Sequence, residues 1–389
     1  MDLGFGPQFD DFRKEVRAFI AAHWPPREGD PGAKEAQAAF RRAATEQGYY
    51  ARAVPKRYGG SEQTADIVKA EIISQEIKAA GAPAEIRDGG ISLLIPTLLE
   101  WGTEAQREYF IPKTLTGEFR WAQGFSEPGA GSDLASLRTR AELVGDEWVI
   151  NGQKVWSTKA QRAHYMFALV RTEPDAPKHD GISYLMLDLR QPGVTVRPLV
   201  QMTKHAEFCE VFFDNAKAPA DWIVGPRGAG WKVSKSTLKH ERSGLGGLTW
   251  TDGMLRGLIK LAQTKEIDGR PAIQHAKIRD ELAAIQAQSM AYGYSTYRAT
   301  SMNVHGQDPG IFPLMSKIAS TNLAQRIAKL AREIVGDDLL DMGGPELKWI
   351  ERFMISLSMS IAGGTSNIQR NIIAERGLGL PREAKAERT

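Results

Sequence analysis

From Asp11 to Leu115, apolar and polar positions recur with the period of an α-helix. A first helix is predicted between a cap at Asp10 or Asp11 and the helix-breaking pair Pro25-Pro26. A second ends at Gly81, and a buried helix over 91–101 precedes Thr103, the expected cap of the next one. The first two helices are defined by the apolar residues Phe12, Val16, Phe19, Ile20, Ile67, Val68, Ile72, Ile73 and Ile77.

From Trp121 the period changes to two, which predicts β-strands. Asn151-Gly152 is a strong hairpin signal, so we expect a tight turn there between strands 147–150 and 154–156. The glycine-rich segment 225–230 ends this region. The other predicted strands cover residues 165–170, 183–187 and 207–213.

Helical spacing returns at Trp231 and continues almost to the end of the chain. A chain of 389 residues exceeds what one compact core usually supports, so two or three domains are expected. The pattern places a helical domain at 1–120, a β domain at 121–230 and a helical bundle at 231–389. The longest apolar stripe of the bundle, read as its core, is Leu314, Ile318, Leu323, Ile327, Leu330 and Ile334.

Composition and charge are those of an ordinary globular protein, with 42% hydrophobic and 25% charged residues. A net charge of +3 gives no case for nucleic-acid binding. No apolar run is long enough to cross a membrane and no secretory signal is visible, so the sequence predicts a cytoplasmic protein without a membrane span. The single cysteine, Cys209, lies in an apolar β-type run and is expected to be a buried core residue rather than a reactive thiol.

Two segments carry candidate chemistry. The Gly- and Ser-rich loop Ser126–Asp133 follows an apolar strand, and Trp156-Ser157-Thr158 ends a later one. A large planar cofactor needs such a wall, with one ring to pack on and hydroxyl or N–H groups for its polar edge. Taken one at a time, these segments also fit a simpler interpretation, in which Gly129 and Gly131 form a tight turn and Trp156 is a core residue.

Together, the two segments resemble the acyl-CoA dehydrogenase family of flavoproteins. Its pattern, Thr/Ser-Glu-Pro-x-Ala-Gly-Ser-Asp and then Asn-Gly-x-Lys-x-Trp-x-Thr, is met at 126–133 and 151–158. Gly193-Val194 and residues 211–214 before Pro219 match the same family, and the similarity extends to about Arg376. The resemblance implies an α+β fold with an N-terminal helical domain, a central β-barrel-like domain and a C-terminal four-helix bundle.

The resemblance also implies FAD as cofactor and an acyl-CoA thioester as substrate, desaturated between its α and β carbons. Electrons would pass to an electron-transfer flavoprotein or a similar acceptor. Gly131 and Ser132 match positions beside the CoA chain, where glycine permits close backbone approach. The positions that match flavin contacts are Gln123, Phe125, Ser126, Trp156, Ser157, Thr158, Thr365 and Asn367.

The catalytic base departs from the common family pattern. Most members read Tyr-Glu-Gly-Thr near the C-terminus, whereas this chain has Gly363 in place of the glutamate. One branch of the family carries the base on the first long helix of the C-terminal domain, where this chain has Glu241. Arg242 beside it matches a family arginine that lines the substrate pocket. The alternative is that Glu241 pairs with Lys239 or Arg242 on a solvated helix face.

The flavin's diphosphate half differs from the family as well. In typical homotetramers a neighbouring subunit supplies Arg-x-x-Phe-Gly and a Gln-x-x-Gly-Gly turn, and here the corresponding residues are Arg270 and Gly336. Glu333 and Asp337 flank the second position and would repel a diphosphate unless they are paired. We therefore expect a homotetramer or an α2β2 hetero-oligomer. Two other functions stay open: an oxidase or monooxygenase on this scaffold, and a non-catalytic subunit that completes a paralogue's flavin site.

Overall fold

The structure is a computed structural model that describes residues 9–24, 34–64, 66–86, 88–244, 248–304, 307–341 and 343–382. The chain forms two compact units. The first consists of Met1–Phe125, Leu137–Val196 and Glu210–Ser234. The second consists of Ser126–Ser136, Arg197–Cys209 and Lys235–Thr389. Helices come first, a sheet follows and helices return, which agrees with the predicted α+β class. The domain boundaries at 120 and 230 stay a prediction.

Two helices of the first unit, Ile67–Ala79 and Glu104–Leu115, begin at side-chain caps. The Asp66 carboxylate accepts a hydrogen bond from the Lys69 N–H, and Thr103 forms a capping box with Gln106. The predicted cap of the first helix is wrong, because Asp10 and Asp11 lie inside its first turn. There their negative charges interact favourably with the positive end of the helix dipole. The helices are α1 (Asp10–His23), α2 (Lys34–Glu46), α3 (Ile67–Ala79), α4 (Ile95–Trp101) and α5 (Glu104–Leu115).

An apolar cluster joins α1, α2 and α3. The expected stripes of α1 and α3 supply its centre, and α2 adds Phe40 and Ala44. The carboxylate of Glu76 lies at the edge of this cluster, where it accepts hydrogen bonds from Arg13 and from Arg17, the latter at 2.7 Å. Burial of the cluster stabilises the three helices, since each amphipathic helix covers the apolar face of another.

Eight of the ten described β-strands form one sheet. Its order is β6-β7-β3-β2-β4-β5-β8, and β1 pairs with β4, so the described strands trace an open sheet. Cys209 is fully buried, as predicted. The strands are β1 (Trp121–Gly124), β2 (Arg140–Val144), β3 (Glu147–Thr158), β4 (Tyr165–Arg171), β5 (Ile182–Asp188), β6 (Val194–Leu199), β7 (Phe208–Pro219) and β8 (Ile223–Val224).

The predicted hairpin turn at Asn151-Gly152 is wrong. These two residues lie inside β3, and the tight turn lies one segment earlier, where Val144 pairs with Glu147 across Gly145-Asp146. Gly152 is required for another reason, because a Cβ there would lie 2.7 Å from Thr139 Cα. Close backbone approach, rather than a turn, explains the glycine.

The second unit contains a helix bundle centred on α9. Its apolar cluster contains the predicted stripe residues Leu323, Ile327, Leu330 and Ile334. No helix in the described part of the chain is long and apolar enough to span a membrane. The remaining elements are α6 (Gly230–Gly244), α7 (Leu248–Thr264), the two-stranded hairpin β9 (Glu266–Ile267) and β10 (Arg270–Pro271), α8 (Ala276–Val304), α9 (Phe312–Val335), α10 (Leu347–Met359) and α11 (Ser366–Ile372).

Candidate active site

The end of β3 presents an exposed indole from a strained backbone. The buried positions of β3 are Trp148 and Ile150 in its first half, whereas Lys154 and Val155 are both buried and Ser157 follows, so the buried positions change phase at Val155, from even to odd numbers. Trp156 follows with a φ of 62° and a side chain that is 60% exposed. A bulky residue in the left-handed region costs conformational energy and is found mainly at functional sites. Trp156 is therefore not a core residue, and most of its side chain is exposed to solvent.

The two hydroxyls beside Trp156 point in different directions. Ser157 is fully buried, and its Oγ has no hydrogen-bond partner among the described residues. Thr158 is exposed again, on the same side as Trp156. Thr158 can therefore present its hydroxyl to a flavin, whereas Ser157 would reach one through its backbone.

The first strand of the sheet lies against this wall. Fully buried Lys154 donates a hydrogen bond from Nζ to the Phe125 carbonyl, over 3.2 Å. The Phe125 ring is part of the core, edge-on to Phe167 and Tyr184 at 6.0 Å, so only its backbone remains for a cofactor. Gln123 on β1 pairs with Phe167 of β4 and is partly buried. The first unit thus brings Gln123 and Phe125 to the end of β3.

The glycine-rich loop belongs to the second unit. Glu127 and Ala130 exchange two backbone hydrogen bonds of 3.0 and 3.1 Å, which close the loop. A Cβ at Gly129 or at Gly131 would meet nothing within 4 Å, so internal crowding does not require these glycines. Ser126 is partly buried, and Gly131 and Ser132 are exposed. The loop offers open backbone to a ligand, which fits the predicted CoA contact.

The segment that carries the usual base is a tight turn in this chain. Gly363 and Gly364 have φ values of 62° and 89°. Thr365 then caps α11 by accepting a hydrogen bond from the Ile368 N–H at 3.2 Å. Asn367 lies in the first turn of α11, where its Oδ1 accepts a hydrogen bond from Arg370. Thr365 and Asn367, both predicted to contact flavin, therefore lie at one helix end.

The residues expected near the diphosphate are separated along the second unit. Arg270 is exposed on β10, beyond the turn formed by Asp268 and Gly269, and its Nη2 lies 3.5 Å from His275 Nδ1. Gly336 ends α9 with a φ of 65° and a ψ of −137°, a conformation open to glycine almost alone.

The acidic residues next to Gly336 are partly neutralised. Glu333 pairs with Lys277 at 3.5 Å, and Asp338 pairs with Lys265. Asp337 is exposed. The pairing of Glu333 removes part of the repulsion that the sequence suggested, although these ion pairs are solvated and weak.

Glu241 and Arg242 lie in α6, so the first long helix of the C-terminal region is present where the sequence placed it. Their side chains lie outside the described residues, and their roles stay predictions. Lys317 is a residue that the sequence interpretation missed. It is buried on α9, next to Ile318 of the predicted apolar stripe. A lysine beside such a stripe was the available signal.

Comparison with known sequences identifies the family. The acyl-CoA dehydrogenase N-terminal domain matches residues 7–118, the middle domain matches 122–216 and the C-terminal domain matches 228–378. The acyl-CoA dehydrogenase IpdE1 of Mycobacterium tuberculosis is 42% identical over 314 residues, which cover 80% of both chains. The chain belongs to the acyl-CoA dehydrogenase family, whose members are FAD-dependent oxidoreductases acting on CH–CH bonds.

Solved structures agree with this assignment. The ChsE4-ChsE5 complex from Mycobacterium tuberculosis matches with a TM-score of 0.79 and 30% identity, over 98% of this chain and 100% of that chain. A structure named Tcur3481-Tcur3483 steroid ACAD matches with a TM-score of 0.79 and 26% identity, over 98% and 100%. The fold is thus the three-domain acyl-CoA dehydrogenase fold, with a helical N-terminal, a β middle and a helical C-terminal domain.

The residues of this chain fit the FAD of that family. Trp156 exposes an aromatic face, Thr158 exposes a hydroxyl beside it, and the carbonyl of Phe125 is fixed by Lys154. An aromatic plane and a few fixed polar groups are what an isoalloxazine site requires.

Proposed function

We propose that this protein desaturates an acyl-CoA thioester whose acyl group is branched, cyclic or otherwise bulky, with Glu241 as the base. The observation that carries the proposal is the glycine at 363, in a chain that keeps the family's two middle-domain motifs at 126–133 and 151–158. A glycine has no group that can accept a proton, so the base must come from another position. Glu241 is the carboxylate at the position that one branch of the family uses.

In the proposed reaction, the Glu241 carboxylate removes a proton from the carbon next to the thioester carbonyl. FAD, when bound, supplies the acceptor for the hydride that leaves the β-carbon. A general base contributes typically about 10²–10⁴-fold to the rate when it is positioned at the proton. Arg242 is proposed to line the same pocket, and Gly131 and Ser132 to contact the CoA chain.

The size of the acyl group is inferred from the missing side chain. Replacing a glutamate by glycine removes volume next to the place where the family's substrates react. A related structure is named a steroid acyl-CoA dehydrogenase, which supports a bulky ring-containing group. We expect linear short-chain acyl-CoA thioesters to be poorer substrates, since an oversized apolar pocket loses contact with them.

We further propose that the working assembly contains four chains, either as a homotetramer or as an α2β2 hetero-oligomer with a second chain of this family. Arg270 stands alone for the family's Arg-x-x-Phe-Gly, and acidic residues surround Gly336. The ChsE4-ChsE5 and Tcur3481-Tcur3483 structures are each named for two chains, which favours the hetero-oligomer.

Anaerobic titration of the purified holoenzyme with a panel of linear, branched and ring-containing acyl-CoA thioesters tests the proposed reaction. Bleaching of the oxidised flavin band by one of the bulky thioesters is the expected result. Adding air and then an electron-transfer flavoprotein separates the possible acceptors. Slow reoxidation in air and fast reoxidation by the carrier protein indicate a dehydrogenase, and rapid turnover with O2 indicates an oxidase. A flavin that no thioester bleaches contradicts the proposal.

A further inference from the structure

A buried lysine supports the turn that replaces the usual base. Lys317 of α9 is 4% exposed, and its Nζ donates a hydrogen bond to the Gly364 carbonyl over 2.9 Å. Burial, together with the nearby Arg370 guanidinium, lowers the pKa of the Lys317 amine. In the described part of the chain, no carboxylate forms an ion pair with it. A desolvated ammonium is costly, so its hydrogen bond to the turn is its main compensation.

The neighbouring carbonyl is held by a second buried side chain. Gln369 of α11 is 1% exposed, and its Nε2 donates to the Gly363 carbonyl over 3.1 Å. A Cβ at Gly364 would lie 2.8 Å from the same Nε2, so the turn packs directly on this amide. Two consecutive carbonyls, from two residues with positive φ, are thus fixed by side chains of two different helices.

This arrangement determines where α11 starts. Thr365 follows the turn directly, and its carbonyl accepts a hydrogen bond from the Gln369 N–H at 2.9 Å while its hydroxyl caps the helix. If the two carbonyls were released, both glycines could adopt many other conformations, because glycine has the widest backbone freedom. The positions of Thr365 and Asn367 would then no longer be set by the bundle.

We propose that Lys317 and Gln369 are positioning residues, which hold the Gly363-Gly364-Thr365 turn so that Thr365 and Asn367 are presented to the flavin. The part that concerns flavin rests on the proposed function, whereas the holding of the turn does not. Hydrogen bonds to charged donors are stronger than those between neutral groups, so Lys317 contributes the larger share.

The test uses Lys317→Met, which keeps most of the volume and removes the donor. Hydrogen–deuterium exchange of the full-length holoenzyme should show loss of protection confined to residues 361–370, with faster exchange by about tenfold or more. FAD should also bind more weakly, with a Kd raised by about tenfold. The free energy that corresponds to a tenfold change in Kd is about that of one hydrogen bond. The flavin's visible circular dichroism should change, because its surroundings have shifted.

Lys329→Met is the matched control, because Lys329 is exposed on the same helix. It should leave exchange, FAD affinity and the flavin spectrum unchanged. Gln369→Leu tests the same turn independently if Lys317→Met does not fold, and it should raise exchange over the same residues. The inference is overturned if local exchange and FAD affinity equal those of wild type, or if protection is lost evenly across the bundle. Failure of every acyl-CoA to bleach the wild-type flavin would contradict the proposed function only.

Discussion

Trp156 combines an unfavourable backbone conformation with a largely exposed indole. Folding tolerates such residues where the surrounding structure holds them and a ligand gains from them. The neighbouring phase change in β3 turns this side chain outward and Ser157 inward. The change of phase in β3 therefore exposes the side chain that is proposed to pack against the flavin.

Replacing Trp156 by Ala should weaken FAD binding while the fold is kept. Aromatic stacking is worth about 0.5–1.5 kcal/mol beyond burial, so a loss of about tenfold in affinity is expected. The measurement is the ratio of flavin to protein absorbance after extended dialysis. Trp250→Ala removes another exposed tryptophan, on α7, and should have no effect. Full retention of flavin by Trp156→Ala would show that the flavin lies elsewhere.

Ser157→Ala distinguishes a backbone contact from a side-chain contact. Because the Ser157 hydroxyl is buried and has no hydrogen-bond partner among the described residues, its removal should leave stability unchanged or raise it, by up to about 1–3 kcal/mol. FAD affinity should not change, whereas Thr158→Val should lower it. Thermal unfolding and flavin fluorescence measure the two effects. A marked loss of FAD on Ser157→Ala would assign the hydroxyl to the cofactor.

At the scale of single elements, the N-terminal helices depend on one buried carboxylate. Hydrogen bonds from Arg17, and then from Arg13, hold the pKa of Glu76 below its ordinary value despite its burial. A lowered folded-state pKa stabilises the protein above the unfolded-state pKa, and this stability is lost as the pH falls through the folded-state pKa. The contribution therefore disappears in the acidic range below about 4.3.

Glu76→Gln should lower the free energy of unfolding by about 1.5–3 kcal/mol at neutral pH, the usual value of hydrogen bonds to a charged group. The difference from wild type should shrink at acidic pH, where the wild-type carboxylate also loses its charge. Urea unfolding at several pH values measures it. Glu71→Gln on the exposed face of the same helix is the control. Equal destabilisation at all pH values would contradict an ionic role.

Helices and strands with a strong apolar period could be predicted from the sequence. Helix α2 and the position of the β2–β3 hairpin turn could not. α2 buries only Phe40 and Ala44, so its apolar stripe is too thin to recognise. Asn-Gly favours a turn locally, but in β3 pairing with a neighbouring strand outweighs that preference. The residues proposed to contact flavin were predicted from a family motif, and a motif does not show which way each side chain points. The inward orientation of Phe125 and Ser157 follows from packing and a phase change that no local pattern encodes.

At the scale of the whole molecule, the proposed assembly can be tested through the diphosphate half of the proposed flavin site. If a second chain completes it, the protein expressed alone should hold clearly less than one FAD per chain, and co-expression with its partner should restore the ratio. Light scattering gives the number of chains in the assembly, and the flavin absorbance of the same sample gives the amount of FAD per chain. A homotetramer with one FAD per chain would remove the need for a partner. In that case Arg270→Ala should lower FAD affinity, because Arg270 would carry the phosphate contact alone.

The central claim is that the Glu241 carboxylate on α6 removes the substrate proton, because position 363, where most family members have a glutamate, is a glycine in this chain. The direct measurement is anaerobic stopped-flow mixing of Glu241→Gln with the acyl-CoA that bleaches wild type best. Glutamine keeps the size but cannot accept the proton, so flavin should stay bound and bleaching should slow by about 10²–10⁴-fold. Bleaching at the wild-type rate would contradict the account and place Glu241 on a solvated helix face.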